Sequence, residues 1–190
     1  LERAISQTSW TLSSVVSLMT GLEQEAHGVM QIEQSLPADR LSTLGELFQS
    51  KGYRTVGLVQ NAVIGEGTGL ERGFDRYDYM RFTEEGAEDL VRAVGEEAAA
   101  SARDQPLFMY VHVGPPHMPY RPPEPFRSRF AGGAPESRVV GSIRDTTDIM
   151  VEKSAPSHPD VIRLVELYDG HVAYADSVIR RSVEAFESEG

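Results

Sequence analysis

The segment Leu107-Phe108-Met109-Tyr110-Val111-His112-Val113 constrains the fold more than any other part of this sequence. It is an almost continuous apolar run, typical of a strand in a parallel sheet covered on both faces. Tyr53 to Val59 is β-branched enough to be a second buried strand. Helices are read around these runs. Thr43-Leu44-Gly45-Glu46 fits a capping box, with Leu44, Leu47 and Phe48 on one face and Gly52 as the stop. Gly65 to Gly73 is a Gly-rich loop, and Thr83 to Arg103, rich in Ala and Glu, is expected to be a helix. Helix–strand–helix–strand alternation predicts an α/β fold, a mostly parallel sheet flanked by helices.

The flanks follow the same logic. After a polar lead-in from Ser6, a helix capped by Thr11 runs to Thr20, with Val15, Leu18, Met19 and Leu22 at helical spacing and Gly21 as its stop. A proline-rich loop occupies Pro115 to Pro125. Residues 131–156 have low apolar density and mixed charges, and are expected to be a surface excursion. From Ser157 a long helix is expected to reach the end, carried by Leu164, Leu167, Tyr168, Val172, Ala175, Ile179, Val183 and Phe186.

A chain of 190 residues fits one domain. Its 18 basic and 29 acidic residues give a net charge of −11, which argues against nucleic acid as a partner. It has no cysteine, so disulfides, thiolate metal sites and a cysteine nucleophile are excluded. No run is long enough to span a membrane. The chain starts at Leu1 without a Met and stops at Gly190 inside a helical pattern, so both ends are expected to be cut and the compartment stays open.

Thr11 at a helix start is the first chemical candidate. Unpaired N–H groups and a partial positive charge there suit a tetrahedral oxyanion. A hydroxyl in that place attacks the bound group if a metal lowers its pKa. Taken alone, the pattern reads first as a helix cap. Trp10-Thr11-Leu12-Ser13-Ser14 through Thr20-Gly21, then His27-Gly28-Val29, resembles the sulfatase signature of the alkaline phosphatase superfamily. That signature reads C/S-x-P-S-R, a short apolar stretch, T-G, and H-G. The resemblance places Thr11 at the nucleophile position. Ser13 stands for the usual Pro, and Val15 for the usual Arg. A Thr does not become formylglycine, so none is expected. The match is nearer to the W-T-L-P-S subset. Nucleotide pyrophosphatase/phosphodiesterases of the superfamily also use a Thr nucleophile.

Pro106 to Pro123 resembles the sulfatase segment F-Y-V-H-x-x-D-P-H-x-P-Y-x-P-P, with Pro115 at the Asp position. The resemblance implies that His117 points at the ester oxygens as donor or general acid, a role suited to imidazole. His112, on the strand, is expected to be a satisfied core histidine. Gly52-Tyr53-Arg54-Thr55 and Arg72-Gly73-Phe74-Asp75 resemble the family's G-Y-x-T strand and R-G-F-D turn. Where many sulfatases place a sulfate-binding Lys, this chain has Gln60 and Asn61. Asn61 is the candidate substrate-binding amide. Gly65 to Gly69 lacks the spacing of a dinucleotide fingerprint. Leu167 to Asp176 resembles the family helix L-Y-D-x-x-I-x-Y-x-D, in which Asp169 and Asp176 share a face and are expected to be structural.

The resemblance covers nearly the whole chain in order, as the central part of one sulfatase-like catalytic domain, residues 1–190. It implies a hydrolase of sulfate or phosphate esters that uses a divalent metal, calcium or zinc, with an anionic ester as its partner. Thr11 is the one expected metal ligand in this window. The acidic pair and the D-H-G-like segment that complete the family's site are expected to lie outside it. The isolated chain is then expected to be inactive, marginally stable and rich in exposed apolar surface. Two other readings are a lipid-headgroup or phosphoryl transferase of the same superfamily, and a silent binding protein on the sulfatase fold.

Overall fold

The computed structural model describes residues 5–37, 41–101, 105–152 and 155–189. The chain forms two compact units, residues 1–112 with 185–190, and residues 113–184.

In the first unit, α1 (Thr11–Thr20) and a single turn α2 (Gln24–His27) precede α3 (Leu44–Ser50). Then come β1 (Arg54–Val59), a 3-10 turn (Ala62–Ile64), β2 (Arg76–Tyr79), α4 (Glu84–Ala100) and β3 (Leu107–His112). The three strands form a parallel sheet in the order β2-β1-β3. Arg54 lies beside Leu107 and Val59 beside His112, so the two apolar runs pair along their full length. β1 is central and buried from Thr55 onward, whereas every residue of β3, an edge strand, is half-buried. The core gathers Leu12, Val15, Val16 and Met19 of α1 against Val59, Ile64 and Leu70.

The capping box of α3 is present in full: Glu46 N–H donates to Thr43 Oγ1 and Thr43 N–H to the Glu46 carboxylate. The R-G-F-D turn locks onto it. Gly73 has φ +79, and a Cβ there would strike the Glu46 backbone. Asp75 accepts from Thr55 N–H at 2.9 Å and Gln49 Nε2 at 2.8 Å, bonds that hold its carboxyl below the usual carboxylate range. The turn delivers β2, an element the sequence pattern does not announce. Arg-Tyr-Asp-Tyr has few apolar residues, and pairing with β1 makes it a strand. Thr83 caps α4 at Gly86 N–H, and the helix ends at Ala100; Arg103 lies outside the described residues.

The second unit carries the proline-rich loop, α5 (Phe126–Arg129), α6 (Ile143–Glu152) and most of α7 (Pro159–Glu189). Among the described residues of the 131–156 stretch there is more order than the composition predicts. Asp145 accepts from Val140 and Ser142 N–H to start α6. The buried Glu166 carboxylate receives Gly132 and Gly133 N–H at 3.1 and 2.5 Å, and Arg163 at 3.0 Å.

α7 corrects the expected stripe. Leu167 and Ala175 are buried, together with His171, Tyr174 and Val178, but Val172, Ile179, Val183 and Phe186 are exposed. Burial pushes the His171 pKa down to about 4. No helix among the described residues is long and apolar enough to cross a membrane.

Candidate functional site

Thr11 is not the cap of α1. The N-cap is Trp10, in extended conformation, and its side chain makes no capping bond. The first intrahelical bond runs from Ser14 N–H to Trp10 C=O at 3.0 Å. The N–H groups of Thr11, Leu12 and Ser13 therefore stand before the helix ladder begins. The sequence misplaces the cap by one residue because a Thr suits both positions, and only the backbone angles separate them.

The hydroxyl left out of capping meets Asn61. Asn61 Nδ2 donates to Thr11 Oγ1 over a long 3.5 Å. The amide orientation is set by a second bond, in which Asn61 Oδ1 accepts from Val63 N–H at 3.0 Å and caps the 3-10 turn. The acceptor end is engaged by backbone, so the donor end faces the threonine. Asn61 reaches this place because it lies just past the carboxyl end of β1, the central strand, where open α/β sheets build their sites. Both residues are half-buried.

The lead-in and the far end of α1 are also tied down. Ser6 Oγ lies 2.7 Å from Ser14 Oγ, and Trp10 N–H donates to Thr8 Oγ1. At the other end, buried His27 accepts Val29 N–H on Nδ1 at 3.1 Å. That leaves the proton on Nε2, which donates to Ser17 Oγ at 2.9 Å. Burial lowers the His27 pKa, which favours this neutral form. His27 of the signature thus anchors α1; sequence reasoning gave it no role of its own.

The neighbouring candidates divide. Gln60 is buried and its amide donates to Arg81 C=O at 3.2 Å, so it serves the fold at the end of β1. Val15 is a core residue at the position of the family's Arg. His112 Nδ1 lies 3.0 Å from Tyr110 Oη. His117 belongs to the second unit. It is exposed, and its Nδ1–H donates to Met118 C=O at 2.8 Å. Asp169 and Asp176 are both on the exposed side of α7.

A cleft of ≈ 560 Å³ in the first unit is lined by Glu66, Asp78, Glu85 and Asp89, with Arg81. Its acidic wall suits neither an anionic ester nor the residues singled out above, none of which lines it.

The family model for Sulfatase matches residues 1–190. The chain belongs to the sulfatase family. Among solved structures, the phosphonate monoester hydrolase of Agrobacterium radiobacter is 17% identical, with a TM-score of 0.61 over 97% of this chain and 51% of that one. Ps i-CgsB in complex with k-i-k-neocarrahexaose is 15% identical, with a TM-score of 0.62 over 97% and 46%. A protein of glycosaminoglycan metabolism in Bacteroides thetaiotaomicron is 15% identical, with a TM-score of 0.60 over 96% and 46%. This sulfatase-family chain thus spans about half the length of the solved structures it matches. No curated protein matches it.

Members of the family are generally metal-dependent. The described residues contain no group of three or more His, Cys, Asp or Glu that could hold a metal ion. At Thr11 the chain offers one hydroxyl oxygen beside an amide N–H, which is not the oxygen- or nitrogen-rich set a divalent cation requires. These residues alone do not fit the metal.

Proposed function

We propose that the protein carrying this chain is a hydrolase of sulfate or phosphate esters, with Thr11 as its nucleophile. The observation that carries this reading is the pairing of Thr11 with Asn61. A hydroxyl released from capping stands at the first turn of α1, with an oriented amide donor beside it. The open N–H groups of the first turn and the Asn61 amide offer donors to the oxygens of a tetrahedral anion. Attack by Thr11 Oγ1 on sulfur or phosphorus breaks the bond to the leaving oxygen, which takes up the proton the hydroxyl gives up; water then cleaves the covalent intermediate and restores Thr11. His117 is the proposed donor to the ester oxygens. A divalent metal, calcium or zinc, would need more ligands than Thr11 Oγ1 and the described residues around it offer.

The test is Thr11→Ala in the protein that carries this chain, assayed with aryl sulfate, phosphate monoester and phosphodiester substrates. Turnover falls by at least about a thousandfold, while Thr11→Ser keeps a measurable part of it. Unchanged turnover in Thr11→Ala would sink the assignment. A silent binding protein is favoured instead by Val15 in the core and Gln60 tied to Arg81, two positions where the family's charged groups are missing. On that reading, the unmodified protein turns over none of the three esters.

A further inference from the structure

Among the described residues β2 ends the sheet: it pairs with β1 on one side only. Met80 N–H donates to Val59 C=O at 2.8 Å. The bonding groups of a parallel ladder alternate along the strand. Arg76 and Asp78 therefore face β1 as Met80 does, and Tyr77 and Tyr79 turn their N–H and C=O groups outward. These outward groups have no partner among the described residues. Tyr79 is 50% exposed, but Tyr77 is only 7% exposed. A covered N–H and C=O without a partner carry a cost that a bound chain would remove.

The cleft of ≈ 560 Å³ lies along this edge, lined by Tyr77, Asp78 and Tyr79, by Glu66, and by Glu85 and Asp89 of α4. One strand residue, about 3.3 Å long, 4.8 Å wide and 10 Å across its side chains, fills roughly 160 Å³. The cleft thus has room for about three to four residues of extended chain, the length of edge that β2 presents. Its walls carry four carboxylates against one cation, Arg81. Asp78 is paired with Arg76 and Asp89 with Arg92, whereas Glu66 and Glu85 form no ion pair with a described residue. Arg76 meets Glu97 of α4, so Asp78 shares the face of the sheet that carries α4, and the Tyr79 ring lies on the opposite face.

We propose that the free edge of β2 is a docking site for an extended basic segment of another protein, which adds to the sheet as a further strand. Backbone pairing with Tyr77 and Tyr79 holds the segment, and Lys or Arg at alternate positions reach the carboxylates on the α4 side. A second copy of this chain does not fit, because β2 against β2 brings the same carboxylates face to face in a molecule of net charge −11. A metal ion does not fit either, since the described residues hold no group of His, Cys, Asp or Glu that could bind one. The surface involves neither Thr11 nor His117.

The experiment is fluorescence anisotropy of a labelled, acetylated Lys-Val-Lys-Val-Lys-Val peptide titrated with the protein that carries this chain. The peptide binds. Two N-methylated forms, one methylated at the lysines and one at the valines, then separate a ladder from simple charge attraction. A strand presents only alternate N–H groups to its neighbour, so one form binds as the plain peptide does and the other at least about 10-fold more weakly. Glu66→Gln/Glu85→Gln weakens binding about 3- to 10-fold, while Glu136→Gln/Glu187→Gln, two exposed carboxylates outside the cleft, leaves it unchanged. Tyr79→Pro removes one outward N–H but keeps the bonds of Asp78 and Met80 to β1, and it too weakens binding. The peptide arms carry the test if that variant does not fold. Absence of peptide binding, equal binding of the two methylated forms, an equal loss in the Glu136/Glu187 variant, or spermidine competing as well as unlabelled peptide at equal charge, overturns the proposal.

Discussion

Asn61 decides the charge of the candidate site. Where the family's charged contact is a Lys, the chain presents a neutral amide whose Oδ1 is fixed on Val63 N–H and whose Nδ2 faces Thr11 Oγ1. Asn61→Asp keeps the size and the Val63 bond but turns the free end into a carboxylate oxygen. That oxygen would repel an anionic ester and cannot donate to it. In the protein that carries this chain, kcat/KM should fall by roughly 100- to 1000-fold, the usual cost of losing one oriented donor to a developing oxyanion. Asn61→Ala should fall less, and an Asp variant with parental kcat/KM would remove Asn61 from the site. Thr11, Asn61 and His117 were legible only through the family resemblance, because a Thr near a helix start, an Asn after a strand and a His in a proline loop are each commonplace. What the sequence could not convey was the one-residue shift that makes Trp10 the cap and leaves the Thr11 hydroxyl without a capping bond.

At the scale of elements, the clearest prediction concerns the joint between α4 and the sheet. Glu97 on α4 is buried and pairs with Arg54 at the start of β1 and with Arg76 at the start of β2. One carboxylate thus ties a helix to two strands. Glu97→Ala leaves Arg54, which is mostly covered, without its carboxylate, while Arg76, 41% exposed, keeps Asp78, so the cost lies between a surface and a buried pair. About 2 kcal/mol of stability should be lost, read as a lower midpoint in urea unfolding with the slope unchanged. A midpoint within error of the parent would show the clamp to be incidental. Elements were legible where burial writes a pattern: β1 and β3 are apolar runs, and α3 carries its own capping box. β2 was not legible, because its short polar sequence is made a strand by its neighbour. α6 was hidden by low apolar density and is started by the Asp145 and Ser142 bonds. For α7, apolar residues lie on more than one side, and periodicity alone does not say which side is covered.

At the scale of the whole chain, apolar side chains stay open to solvent: Val172, Ile179 and Val183 of α7 are exposed, as are Trp10 and Leu18 of α1. The edge strand β3, with every residue half-buried, adds a row of backbone groups beyond its pairing with β1. A chain that spans about half the length of its structural relatives and leaves such surfaces uncovered should behave as marginally stable when expressed alone. Apolar dyes find the open surfaces, and less surface than usual remains to be exposed on unfolding. The expected outcome is dye binding at neutral pH together with a urea slope smaller than that of a compact chain of equal length. A steep two-state transition without dye binding would mean that the exposed faces of α7 and β3 are tolerated in water, and that the 190 residues are a self-sufficient folding unit.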